Sequence, residues 1–127
     1  MSAEAPLEHA DGLLLSRDLF FTSKVTSTAG ALGRSVVTVG NPARAAELIV
    51  SLKPRAVFVD LAAGDLVAPT ALAHYRSLAP ATPFVAFGSH VDTAALAAAA
   101  AAGCDPVLPR SAFSTRLPEL LRQLLSP

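Results

Sequence analysis

Five short apolar runs recur along the 127-residue chain, and they limit its fold more than any other feature. The runs are continuous rather than alternating, and most of their residues are β-branched or aromatic. They cover residues 13–15, 35–39, 56–59, 84–87 and 107–108. A strand that helices cover on both faces needs this pattern, because both of its sides are buried. The runs therefore predict the strands of a parallel sheet.

Segments with helical spacing separate these runs, and several carry signals at their ends. Asn41 followed by Pro42 predicts a helix start, and this helix extends to about Leu52. Asp92 is expected to cap an alanine-rich helix that Gly103 ends. Apolar stripes predict the first helix (Phe21, Val25, Ala29, Leu32) and the last (Leu117, Leu120, Leu121, Leu124, Leu125), with Pro118 expected in the first turn of the latter.

Strands that alternate with helices predict an α/β fold. The expected architecture is a flavodoxin-like, doubly wound, five-stranded parallel sheet of order 2-1-3-4-5 in a three-layer α/β/α sandwich. The length predicts one domain, over residues 12–127. Residues 1–11 are polar and lack periodicity, and they are predicted to form a flexible N-terminal tail.

The charge balance argues against several classes of partner. Ten Lys and Arg against ten Asp and Glu give zero formal net charge, so neither nucleic acid nor an anionic membrane is an expected partner. The longest apolar run, residues 94–102, is too short for a membrane span. The chain has one cysteine, Cys104, so it cannot form an internal disulfide. Acidic residues precede the first apolar run, so the basic region that begins a signal peptide is missing. A cytoplasmic location is expected.

Functional groups of such a sheet collect where its strands end. At those points, and in the stretches 54–61, 82–87 and 102–105, the sequence resembles the response-regulator receiver (CheY-like) family from Gly12 to Leu125. The resemblance implies an acidic pair after the first strand that holds Mg²⁺, an acceptor aspartate after the third and a hydroxyl after the fourth. A lysine after the fifth strand and an aromatic switch residue on that strand complete the set.

Only one member of that set is retained here. Asp60 matches the phosphoacceptor, whereas the acidic pair falls on Ser16 and Arg17, with Asp18 adjacent. The remaining positions also differ: the hydroxyl falls on Gly88 with Ser89 adjacent, the lysine on Arg110 and the switch aromatic on Val107.

The resemblance therefore implies a degenerate site, or pseudo-receiver. Mg²⁺ binding is expected to be weak or absent, and no metal ligand, other cofactor or catalytic residue is predicted. We expect Arg17 or Arg110 to pair with Asp60 in place of the metal. The alternative is that Asp60 caps the following loop while both arginines are solvated.

A degenerate receiver site implies that the chain is a stand-alone receiver-like signalling module. Such a module acts through protein–protein interaction and is not expected to be an enzyme. Its partner is expected to be a histidine kinase or an effector. A homodimer is a further candidate, through a face of the fourth helix, fifth strand and fifth helix that includes Leu96, Phe113 and Leu117.

Two alternatives remain. One is an atypical response regulator that is phosphorylated on Asp60 in a two-component phosphorelay. The other is a small flavodoxin-like ligand-binding domain or enzyme, for which Cys104 with His90 is the nearest approach to a nucleophile and its base. Cys104 follows Gly103 at a helix end, however, and this position favours a small packed residue.

Overall fold

The computed structural model describes residues 9–127, in which strands and helices alternate without interruption. The strands are β1 (Gly12–Leu15), β2 (Val36–Val39), β3 (Ala56–Asp60), β4 (Phe84–Gly88) and β5 (Val107–Pro109). The helices are α1 (Leu19–Ala31), α2 (Pro42–Leu52), α3 (Pro69–Leu78), α4 (Thr93–Ala101) and α5 (Arg110–Leu125), and a short 3₁₀ turn (Gly64–Val67) precedes α3. No helix within residues 9–127 is long and apolar enough to cross a membrane.

The five strands form one parallel sheet of order β2-β1-β3-β4-β5, which confirms the predicted fold. Two apolar clusters cover its faces. Helices α2, α3 and α4 pack on one face, and α1 and α5 pack on the other. Because β1, β3 and β4 are buried along their whole length, their sequences are apolar without alternation. Their carboxyl ends meet at one edge of the sheet.

Helix α5 begins eight residues before Pro118, so the prediction that Pro118 lies in the first turn is wrong. The helix starts at Arg110 without a side-chain cap, and Pro118 lies inside it at the cost of one backbone hydrogen bond. The earlier start places Phe113 and Leu117 four residues apart on one buried stripe. Packing of this stripe against the sheet outweighs the local preference of proline.

Phe113 and Leu117 belong to the core and not to a partner face. Both are fully buried, and the Phe113 ring stacks on Phe87 with ring centroids 4.0 Å apart. Their assignment to a docking surface is therefore corrected, because a side chain that faces the sheet from α5 is not available to a second protein. Leu96 on α4 is partly exposed and remains the one member of the predicted face that a partner can reach.

The folded part begins before the predicted start at Gly12. Ala10 is 1% exposed and Asp11 is 8% exposed. The Asp11 carboxylate accepts a hydrogen bond from Ser35 N at 2.8 Å and lies 3.7 Å from Arg55 Nη1. These donors hold residues 10 and 11 on the domain, so both residues belong to the folded part and not to the predicted tail. Its residues 1–8 lie outside the described part of the chain.

Candidate functional site

Asp60 is the buried acid at the carboxyl edge of the sheet. It ends β3, and its side chain is almost entirely shielded from solvent. Asp60 Oδ2 accepts a hydrogen bond from Ser16 Oγ at 2.8 Å, and Oδ1 accepts one from Ala62 N at 3.0 Å. Ser16 follows β1, which pairs with β3, so the two side chains are brought together by strand register. Both carboxylate oxygens of Asp60 therefore have partners within the protein.

Arg110 is the cation nearest to Asp60, although the two are not hydrogen-bonded. Its Nη2 lies 3.9 Å from Asp60 Oδ1, the outer limit of an ion pair. The guanidinium lies over the Phe21 ring, with Cζ 5.4 Å from the ring centroid. Arg110 Nε is buried and has no hydrogen-bond partner among the described residues. The site thus contains a cation whose donors are largely unused.

Arg17 contacts Asp65 instead of Asp60. Its Nη1 donates to Asp65 Oδ1 at 2.6 Å and to the Ala63 carbonyl at 3.1 Å, while Nε donates to the Gly40 carbonyl at 3.0 Å. One guanidinium therefore links the loops that follow β1, β2 and β3. The expected pairing with Asp60 is wrong for Arg17, because backbone carbonyls and Asp65 satisfy its donors first.

The Arg17 guanidinium, by hydrogen bonding and by its charge, holds the pKa of the Asp65 carboxyl below the ordinary value of 3.8. Because ionised Asp65 is the form that pairs with Arg17, the contact is present at neutral pH and is lost as the pH falls through that lowered pKa. We expect a carbon-detected NMR titration to give a midpoint below 3.8 for Asp65, and Arg17→Gln to raise that midpoint. An unchanged midpoint in the variant would show that the contact is absent in solution.

Asp18 serves as the N-cap of α1. Its Oδ1 accepts hydrogen bonds from Phe20 N at 2.8 Å and Phe21 N at 3.2 Å. It also lines a shallow pocket of about 260 Å³ with Arg17 and Asp60. Asp18, which is adjacent to the degenerate acidic pair, thus starts a helix, and its place directly before an apolar helical stripe also signals this role.

Leu61 fills the space where a hydroxyl-bearing side chain would lie. A Cβ atom at Gly88 would be 3.1 Å from Leu61 Cβ and 3.2 Å from Leu61 Cδ1, which is tighter than ordinary packing. The adjacent Ser89 turns its hydroxyl toward its own loop, where Oγ lies 3.4 Å from Val91 N. Leu61 was not singled out from the sequence, because its effect depends on the pairing of β3 with β4.

We expect Gly88→Ala to lower the free energy of unfolding by about 1–2 kcal/mol, since the new methyl group overpacks against Leu61. Gly30→Ala is the matched control. Nothing lies within 4 Å of a Cβ at Gly30, and the residue is helical, so this change should be neutral or slightly stabilising. Urea unfolding of both variants measures the difference. Equal stabilities would mean that Leu61 does not close the position.

The other candidate side chains add no reacting group to this edge. Val107 on β5 is partly buried against the α2–α3–α4 cluster. Cys104 is buried in that same cluster, and burial raises the pKa of its thiol to about 11, whereas His90 is exposed. The thiol is therefore protonated at neutral pH and shielded, so the Cys104–His90 alternative has no support in the geometry.

Comparison with known proteins supports the fold. No family model and no curated protein matches the sequence. Among solved structures, the receiver domain of NtrX from Brucella abortus is 20% identical, with a TM-score of 0.78, over 91% of this chain and 98% of that one.

Two further receivers are similar. The signal receiver domain of an HD domain-containing protein from Pseudomonas fluorescens is 18% identical over 98% of this chain and 93% of that one, with a TM-score of 0.78. The receiver domain of a sensor histidine kinase from Pseudomonas aeruginosa, with magnesium in its active-site cleft, is 16% identical. The match covers 92% of this chain and 98% of that one, with a TM-score of 0.77. The chain therefore has the receiver fold.

Proposed function

We propose that this chain is a receiver-like regulatory module. It acts through protein–protein contact and without magnesium-dependent phosphorylation. The observation that carries the proposal is the closure of Asp60. The residue is 1% exposed, and its carboxylate accepts hydrogen bonds from Ser16 Oγ and Ala62 N, whereas a phosphoacceptor must present an oxygen to the incoming phosphorus.

The residues around Asp60 do not suit a magnesium ion. Mg²⁺ prefers several oxygen ligands, usually carboxylates with water. The acidic-pair positions instead supply the neutral hydroxyl of Ser16 and the guanidinium of Arg17, and the remaining acid, Asp18, caps α1. A permanent positive charge at this point repels a dication. We therefore assign the domain no metal or other cofactor and no catalytic step.

The groups that would respond to a phosphoryl group are also changed. Leu61 occupies the space above Gly88, and Arg110 replaces a lysine with a planar fork that leans on Phe21. With both changes, one arrangement of the loops is favoured independently of phosphorylation. A constant surface of this kind suits a module that is recognised by a kinase or effector protein in the cytoplasm.

Intact-mass spectrometry after incubation with acetyl phosphate and Mg²⁺ tests this proposal directly. We expect no phosphoryl adduct on the wild-type chain, and the same spectrum for Asp60→Asn. A stoichiometric adduct on the wild type that is absent from Asp60→Asn would overturn it.

That second outcome would establish the alternative of an atypical response regulator that is phosphorylated on Asp60. One observation favours this alternative: Asp60 ends β3, and the Arg110 cation lies 3.9 Å from it, where it could offset the charge of a phosphoryl group.

A further inference from the structure

A second pocket lies beside the Asp60 site, between the start of α1, the loop after β4 and the start of α5. We call it the α5 pocket. It encloses about 400 Å³, and the side chains that matter to its chemistry are Phe20, Ser89, His90, Arg110, Ser111 and Ser114. No aspartate or glutamate lines it among the residues that the structure describes. The pocket therefore presents N–H and O–H donors and the Arg110 guanidinium, and the acid closest to that guanidinium, Asp60 at 3.9 Å, is not part of the lining.

The donors in this pocket are unused. No described residue accepts a hydrogen bond from the Arg110 guanidinium, and its contact with Asp60 is 3.9 Å long. Helix α5 begins at Arg110 with Pro109 at its N-cap, so no side chain caps the free N–H groups of its first turn. A helix N-terminus and a guanidinium at the same point both favour a negative charge.

Two exposed acids at the starts of other helices do not bond to Arg110. Asp18 caps α1, and Asp92 caps α4 by accepting a hydrogen bond from Ala95 N at 3.1 Å. Each carboxylate is thus bonded to a different helix start, and neither bonds to Arg110. Asp60 faces the guanidinium at 3.9 Å but accepts no hydrogen bond from it, so the N–H donors of Arg110 remain available to a ligand.

One lining residue of the pocket, Phe20, and the sequence neighbours of two lining residues carry exposed apolar side chains. Leu19 and Phe20 at the start of α1 are 84% and 70% exposed, and Val91, which follows His90, is 74% exposed. They account for three of the five large apolar side chains that are most exposed in residues 9–127. An isolated inorganic anion makes no use of such groups, whereas an apolar stretch of polypeptide does.

From these contacts we infer that the α5 pocket docks a segment of a partner protein in which a carboxylate side chain is flanked by apolar residues. The carboxylate would bond to Arg110 and the first turn of α5, and its apolar neighbours would pack on Phe20, Leu19 and Val91. This inference rests on the proposed action through protein contact and specifies the chemistry of the partner.

NMR titration of the full chain with a capped leucine–glutamate–phenylalanine tripeptide tests the inference. We expect saturable amide shifts at Ser89, His90, Ser111 and Ser114. The matched glutamine peptide should bind roughly tenfold more weakly, since it lacks the charge-assisted hydrogen bond. Arg110→Gln should cause a similar loss, and Phe20→Ser should also weaken binding. Arg116→Gln, which removes an exposed arginine farther along α5, should change nothing.

Several outcomes would overturn the inference. They are equal binding of the two peptides, full binding by Arg110→Gln, absence of shifts, or propionate binding as tight as that of the glutamate peptide. Shifts at the same amides on concentrating the chain alone would identify a second copy as the occupant and would also overturn it. An adduct on Asp60 together with normal peptide binding would overturn the proposed function while leaving this inference intact.

Discussion

Replacing Phe113 with alanine is expected to lower the free energy of unfolding by about 3–5 kcal/mol, which is a large part of the stability of a domain of this size. The ring is fully buried between α5 and the sheet, and it stacks on Phe87 with an interplanar angle of 9°. Its removal leaves a cavity beneath α5 and breaks contacts with Phe58 as well. Urea unfolding followed by circular dichroism measures the loss.

Phe20→Ala provides the control for this prediction. Phe20 has the same side chain but is 70% exposed, so its replacement should change the stability by less than about 0.5 kcal/mol. Similar values for the two variants would contradict the placement of Phe113 in the core. They would instead support the sequence-based prediction that Phe113 lies on a partner face.

The double substitution Ser16→Asp with Arg17→Asp is expected to create a magnesium site beside Asp60. It changes the charge beside Asp60 by one unit at position 16 and two at position 17. At about 4–6 Å and an effective dielectric of about 20, each unit corresponds to roughly 3–4 kcal/mol before screening by salt and water. Even a fraction of this sum amounts to more than about a hundredfold in Mg²⁺ affinity.

The clearest readout is the thermal midpoint with and without Mg²⁺. Without the metal, the double variant should be less stable than the wild type, because it places a new carboxylate beside buried Asp60 and removes the Arg17 link. Mg²⁺ at a few millimolar should raise its midpoint by several degrees and leave the wild type unchanged. Thr115→Asp with Arg116→Asp, which makes a similar charge change on the exposed face of α5, should show no response to Mg²⁺.

A wild-type midpoint that rises with Mg²⁺ to the same extent would show that Arg17 does not exclude the ion. That result would favour the phosphorylated alternative.

The sheet is the part of this molecule that its sequence determines most directly. Runs such as Ala56–Asp60 are apolar without alternation because helices cover both of their sides, and this signal depends on no distant contact. The start of α2 was equally predictable, because Asn41 accepts a hydrogen bond from Arg44 N and Pro42 occupies the first turn.

The start of α5 was not predictable by the same reasoning. Pro109 offers no capping side chain, and the rule that proline belongs in the first turn pointed to a start near Pro118. Packing on the sheet decides this boundary, and a local signal does not contain that information.

The arrangement of the site was only partly predictable. The position of Asp60 follows from the end of β3. The link from Arg17 to Asp65 spans 48 residues and depends on the path of a long side chain over the loops. Closure of the Gly88 position by Leu61 requires the pairing of β3 with β4. Both features arise from tertiary proximity between residues that have no common sequence pattern.

The bonds of Arg17 have a consequence for how this chain tolerates mutation. Its acceptors at Gly40 and Ala63 are main-chain carbonyls, which every amino acid supplies. Substitutions at these two positions keep the acceptors in place, whereas a single missense change in the Arg17 codon removes all of the bonds together. Sequence drift at Gly40 and Ala63 is therefore buffered by the backbone, whereas the arrangement depends on the codon of Arg17 and, for one bond, on that of Asp65.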